Sequence, residues 1–129
     1  MLTLNEIFYI LVIHWICDFQ LQTDKQAKGK SNNWGDLLSH TFIYSLSMTS
    51  LLIIYNIVSN NLDNYTFGLF HLLFFFITFI SHTITDYITS RINSKLWKKG
   101  DVHTFFVSNG FDQTLHYFQL FLTYKLLFL

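Results

Sequence analysis

Four pairs of histidine and aspartate recur at i, i+4 spacing along this chain: His14 with Asp18, Asp36 with His40, His82 with Asp86, and Asp112 with His116. On an α-helix that spacing puts both side chains on one face with Cβ atoms about 5–6 Å apart, which is why two-ligand metal motifs on helices use it. Imidazole nitrogen with carboxylate oxygen suits Zn, Mn or Fe better than Cu(I), which prefers sulfur. The expected cofactor is a divalent metal, Zn first, with Mn or Fe as alternatives. Candidate ligands are His14, Asp18, His40, His82, Asp86, Asp112 and His116. Asp36 is set aside because it falls at the very start of its helix. Seven donors exceed the four of tetrahedral zinc, so two ions about 3.5–4 Å apart fit them. One ion with further carboxylates orienting its histidines fits them too.

The elements that must position these pairs are strongly apolar. The chain has 129 residues, 51% hydrophobic, 19% aromatic and 12% charged, with formal net charge zero and no proline. Too little polar sequence remains to coat four outward faces of a soluble helical bundle. Apolar runs at 7–16, 46–58, 67–80 and 118–129 each extend to about 20 residues once scattered polar residues are admitted, enough to span a membrane. The expected fold is all-α: a single transmembrane domain over 1–129, a polytopic four-transmembrane-helix bundle with helices at 4–22, 37–58, 66–90 and 108–129 joined by short connections. The first helix lacks the cleavage site of a removable signal peptide and is expected to be retained.

Orientation follows from the connections. The first carries Lys25, Lys28 and Lys30, the third Arg91, Lys95, Lys98 and Lys99, and the second, SNNLDNY, neither Lys nor Arg. By the positive-inside rule the basic connections face the cytoplasm, and both termini lie across the cell membrane from it. Helices running toward the cytoplasm then read His before Asp, and those running away read Asp before His. Every aspartate is therefore nearer the cytoplasm than its histidine. At a rise of about 1.5 Å per residue, Asp18, Asp86 and Asp112 lie about 6 Å inside the apolar core, and His14, His82 and His116 about 12 Å. His40 falls near the level of the aspartates.

A charge at the centre of a membrane helix costs about 2.5–3.5 kcal/mol even on the lenient insertion scale. No lysine or arginine lies at that depth in the expected spans, so a cation held by the histidines and aspartates is the expected compensation. Side chains converging from several helices make the carboxylate and histidine metal sites of bundles. A single Asp/His pair more often only fixes helix packing; four pairs at one level favour the metal.

HWICDFQLQTDK parallels HTITDYITSRIN, and each is followed by a basic stretch and then a D-x-x-x-H segment. That pattern suggests two repeated helical hairpins related by an axis along the membrane normal. Cys17, the single cysteine, excludes an internal disulfide and reads as a small buried apolar side chain. His71 and His103 are expected at the membrane interface and in a basic loop, and Ser81 in helix packing.

HWICDFQLQTDKQAKGK, LLSH, HTITDYITSR and GFDQTLH together resemble the small integral-membrane family catalogued as domain of unknown function 3307, found in bacteria and their phages. The resemblance covers nearly the whole chain. It implies a small polytopic membrane protein with His14, Asp18, His40, His82, Asp86, Asp112 and His116 as motif positions, and no established activity. Asp36 is outside that pattern. A looser similarity, in short His/Asp-studded helices only, is to membrane-bound metal-dependent hydrolases.

The expected function is metal-dependent hydrolysis of a lipid or membrane-associated substrate at the cytoplasmic leaflet. One of Asp18, Asp86 and Asp112 would act as general base and the others as ligands. Membrane lipid, including a lipid-linked or head-group substrate, is the expected partner; nucleic acid is not, and an oligomer is open. Gln20, Gln22 and Gln113 are candidates for head-group contacts, and Lys25, Lys28, Arg91 and Lys95 for a phosphate. The alternatives are a metal or proton transporter, against which stands the apolar outer half of each helix, and a noncatalytic membrane module with a structural metal.

Overall fold

Thr3 and Glu6 cap one another at the start of the first helix, α1 (Leu4–Trp15): the Glu6 amide donates to Thr3 Oγ1 at 3.2 Å, and the Thr3 amide donates to Glu6 Oε2 at 2.7 Å. Such reciprocal capping satisfies two otherwise unpaired amides. In this computed structural model, which describes residues 2–59 and 67–129, α1 does not run on to Gln22 as an α-helix. It passes into a π-helical turn, Ile16–Gln20, closed by the Leu21 amide on the Ile16 carbonyl at 3.0 Å. Asp18 sits in the middle of that turn, and π turns of this kind are frequent at functional sites.

The first connection, expected as a loop, contains a short helix, α2 (Asp24–Gly29), whose start is again a capping box, Thr23 with Gln26. Gln26 Nε2 donates to Ser39 Oγ at 3.1 Å and Lys25 stands 3.7 Å from Asp36, so α2 lies against the start of α3 (Trp34–Val58). Gly29 permits that approach, because a Cβ there would collide with the Asp36 carboxylate.

The remaining helices are α4 (Phe67–Lys98) and α5 (Val102–Phe128). α3 starts three residues before the expected 37, α4 continues eight beyond 90, and α5 begins six before 108. Polar residues such as Lys95 and Lys98 propagate a helix well, so the end of an apolar run does not end the helix. The third connection shrinks to residues 99–101, closed by Gly100 at φ 74° with the Asp101 amide on the Leu96 carbonyl at 3.1 Å. This is the six-to-one bond of a Schellman motif, which favours glycine at that position. The second connection, and the start of the third helix expected at 66, lie outside the described residues.

α1 touches α3 and α5, and α4 touches α3 and α5, so the four long helices ring a common interior. All described regular structure is helical. Polar residues dominate that interior, while large apolar side chains such as Phe8, Phe42, Ile54, Leu72, Ile84 and Phe118 point outward. α3 and α4 (from Gly68) are long and apolar enough to cross a membrane; α1, cut short by the π turn, and α5, with its polar residues, do not pass that test by themselves. The parallel between the two halves is local: α4 runs unbroken through His82 and Asp86, whereas the first half breaks into a π turn and α2 after His14.

Candidate metal centre

Six of the seven candidate ligands meet inside the bundle. Asp18 from the π turn, His40 from α3, and His82 and Asp86 from α4 each offer one donor atom within 4.8 Å of the others, and so do Asp86, Asp112 and His116. All six are buried. Asp86 belongs to both groups, contributing Oδ2 to the first and Oδ1 to the second.

Five of the six ligand separations in the first group are close to those of a tetrahedron. His40 Nε2 lies 3.1 Å from Asp18 Oδ1 and 3.3 Å from Asp86 Oδ2; His82 Nε2 lies 3.5 and 3.6 Å from the same two oxygens, and the two nitrogens are 3.3 Å apart. A tetrahedral ion with bonds of about 2.0–2.1 Å would separate its ligands by about 3.3–3.4 Å. The donor set, two imidazoles and two carboxylates, also suits zinc or its neighbours. In the second group His116 Nε2 is 3.2 Å from Asp86 Oδ1 and 3.3 Å from Asp112 Oδ1. The Asp112 Oδ1 and His82 Nδ1 atoms are buried with no hydrogen-bond partner.

His14 stands beside the cluster rather than in it, 3.8 Å from Asp18 Oδ2. Its Nδ1 is 2.7 Å from the Tyr44 hydroxyl and its Nε2 is 3.0 Å from Gln113 Oε1. An amide oxygen only accepts, so a neutral His14 carries its proton on Nε2 and receives the tyrosine hydroxyl on Nδ1. No lone pair is then left for a metal. Gln113 uses its amide nitrogen on Asp18 Oδ2 at 3.3 Å and Asp112 Oδ2 at 3.2 Å. The sequence reading assigned Gln113 to a head group; the structure makes it the strut between His14 and two aspartates. Tyr44 could have been found, since it follows His40 by four residues and so shares its face. Its ring stacks on His82 at 3.9 Å, and His82 stacks on His116 at 4.2 Å.

The expectation that no basic side chain reaches the aspartates is overturned by Lys30. Its Nζ donates to Asp86 Oδ2 at 2.8 Å. α2 and the turn after it bring Lys30 back under the bundle, a route invisible while residues 23–36 were read as a connection. Burial opposes the charge on Lys30, but the carboxylates of Asp86 and Asp18 outweigh it and hold its ammonium above the ordinary range. One of the three buried carboxylates therefore has a resident counter-charge.

Asp36 contributes to α2 docking and not to the cluster. His71, expected at the interface, is buried and accepts from Asn56 Nδ2 at 3.0 Å, while His103 lies exposed in the first turn of α5 rather than in a loop. Cys17 is buried and free, and Ser81 bonds back to the Thr78 carbonyl within its helix. The half of the bundle away from the cluster, expected to be apolar, is so only outwardly: Ser45, Thr49, Asn56, Thr78 and Thr123 are buried there.

A cavity of about 530 Å³ opens beside the cluster at its basic end, with Asp18, Asp86, Asp112 and Gln113 in its inner wall and Trp97, Phe105 and Phe106 among its lining. Gln22 and Lys28 line it; Gln20, Lys25, Arg91 and Lys95 do not. Arg91 instead lies over the Tyr87 ring at 3.7 Å.

Fold and site define a class: an all-helical bundle with an apolar exterior and a buried cluster of imidazoles and carboxylates. Within that class the chain belongs to the family described as protein of unknown function (DUF3307), which it matches over residues 7–129. No curated protein and no solved structure matches it.

Proposed function

We propose that this protein is a membrane-embedded, metal-dependent hydrolase acting on a lipid or lipid-linked substrate at the cytoplasmic leaflet. The observation that carries the reading is the set Asp18, His40, His82 and Asp86, in which each histidine Nε2 lies 3.1–3.6 Å from the other and from both carboxylate oxygens. Four protein ligands describe a closed, structural position, whereas three, Asp86, Asp112 and His116, leave one coordination position open, the pattern of catalytic sites. Asp86 and Asp112 also line the cavity, which gives a substrate access to the second group. An ion held there by Asp86, Asp112 and His116 would supply a water nucleophile near neutral pH and a Lewis acid for a phosphoryl or acyl oxygen.

The chain's own residues do the rest. Gln113 and His14 fix the aspartates, Lys30 fixes Asp86, and Asp18, whose carboxylate lines the cavity, would accept a proton from water held there. Four membrane spans with both termini outside and the basic end inside are supported by the outward apolar belt and by the charges at one end of the bundle. The test is elemental analysis of detergent-purified protein against a His40→Ala, His82→Ala variant. One or two equivalents of zinc, manganese or iron, lost in the variant, are expected; a folded native protein without metal would sink the proposal.

The buried hydroxyls beyond the cluster favour a second reading, a metal or proton transporter. Ion flux in proteoliposomes that is lost in Thr78→Val would choose it over the hydrolase.

A further inference from the structure

The cavity beside the cluster has a size and a chemistry of its own. At about 530 Å³ it falls in the range of small-molecule sites, about 300–1,000 Å³. Amides and hydroxyls stand in a largely apolar wall, among them Gln22, Ser90, Asn93, Ser94 and Asn109, beside Phe19, Trp97, Phe105 and Phe106, and no arginine is among the described lining residues. Of its two lysines, Lys30 is committed to Asp86, and Lys28, largely exposed, lies 3.9 Å from Asp24. Phosphate recognition by side chains normally rests on arginine forks or unpaired lysines. An anionic head group is disfavoured there.

Gln22 Nε2, Ser90 Oγ and Asn93 Oδ1 are buried in that wall without a hydrogen-bond partner. They comprise a donor, a hydroxyl and an acceptor. A ligand of acceptors alone could not satisfy them, whereas hydroxyl groups, which donate and accept, could. Buried polar atoms left unpaired are costly enough to expect a partner.

We infer that this cavity binds an uncharged, hydroxyl-rich group, a sugar or polyol, carried on a membrane lipid. Trp97 and Phe105, 5.1 Å apart edge to face, and the exposed Phe106 give the cavity an aromatic side. Aromatic rings of this kind settle where one side is apolar and the other wet, as a lipid-borne sugar requires. The inference names the substrate class of the hydrolase proposed above and rests on that reading for turnover, but not for binding.

The test measures lipid retained on the full chain after reconstitution in phosphatidylcholine bilayers containing a glucosyl diacylglycerol or phosphatidylglycerol, with metal-loaded and chelator-treated protein. The glucosyl lipid is expected to be retained about tenfold better, and Asn93→Ala with Asn109→Ala to weaken it about tenfold, the effect of losing one or two hydrogen bonds. Trp97→Ala, at an exposed position, should weaken it too and keeps the test informative should the double variant not fold. Displacement by methyl glucoside at matching affinity supports the sugar chemistry and assigns it to a soluble source; no displacement supports the lipid. Equal or better retention of phosphatidylglycerol, or indifference to both variants, overturns the inference. Glucosyl-lipid binding that survives chelation upholds it even where the metal reading fails.

Discussion

Lys30 Nζ and Asp86 Oδ2 are joined by a 2.8 Å ion pair between a residue at the end of α2 and one in the middle of α4, fifty-six positions apart. Asp86 is also the carboxylate shared by both candidate ligand groups. The same oxygen thus faces a fixed ammonium and two imidazoles.

Removing the lysine charge should show what it does. Lys30→Met leaves Asp86 buried without its counter-charge, and such losses destabilise by about 1–3 kcal/mol, discounted for the partial exposure of Lys30. Thermal unfolding in detergent should record a larger drop for chelated than for metal-loaded protein, because a bound cation takes over the compensation. An equal drop in both forms would mean that Lys30 acts only in packing.

The two ligand groups predict unequal losses. Asp86→Asn should abolish all tight metal binding, whereas Asp112→Asn touches only the three-ligand group and should leave the other ion in place. His71→Ala, remote from both, should retain full metal content. Metal-to-protein ratios for the three variants decide the matter; equal ratios would remove the ligand assignment.

Much of this was legible in the sequence, and the reasons for the remainder are physical. The i, i+4 pairs fixed which faces turn inward, because helical spacing depends only on local geometry. Six of the seven candidate ligands then converge inside the bundle. His14 stands outside both groups, its ring taken up by Tyr44 and Gln113 on other helices, a tertiary fact with no local trace. Lys30 was missed because a short helix hid inside a connection, although T-D-K-Q at 23–26 carries the capping-box pattern that announces one. The π turn at Ile16–Gln20 left no mark in the apolar pattern, which does not register one inserted residue at a helix end.

Gly29 tests whether α2 is needed to deliver Lys30. Its missing side chain makes room for the Asp36 carboxylate, and the nearby Cβ of Asp36 means that a rotamer change alone would not relieve a clash. Gly29→Ala should destabilise the protein by about 1–3 kcal/mol, as overpacking does, despite the better helix propensity of alanine. Pairing it with Lys30→Met forms a double-mutant cycle. Losses smaller than additive would confirm that both act through α2 docking.

Asp101 offers a pH test away from the cluster. It caps α5, its Oδ1 accepting from the Thr104 amide at 3.1 Å, and hydrogen bonding by the Thr104 side chain and backbone holds its carboxyl below the ordinary value of 3.8. A carboxyl depressed on folding contributes stability that is present above its unfolded value and lost as pH falls through the folded one. Acidification from about pH 5 to about pH 3 should therefore loosen the start of α5, read as faster amide exchange at Thr104 relative to an internal α5 amide. Asp101→Asn keeps an equally good cap without a titrating group, so the acid-induced loosening should vanish. If it persists in that variant, the acid response belongs to the buried aspartates and not to the cap.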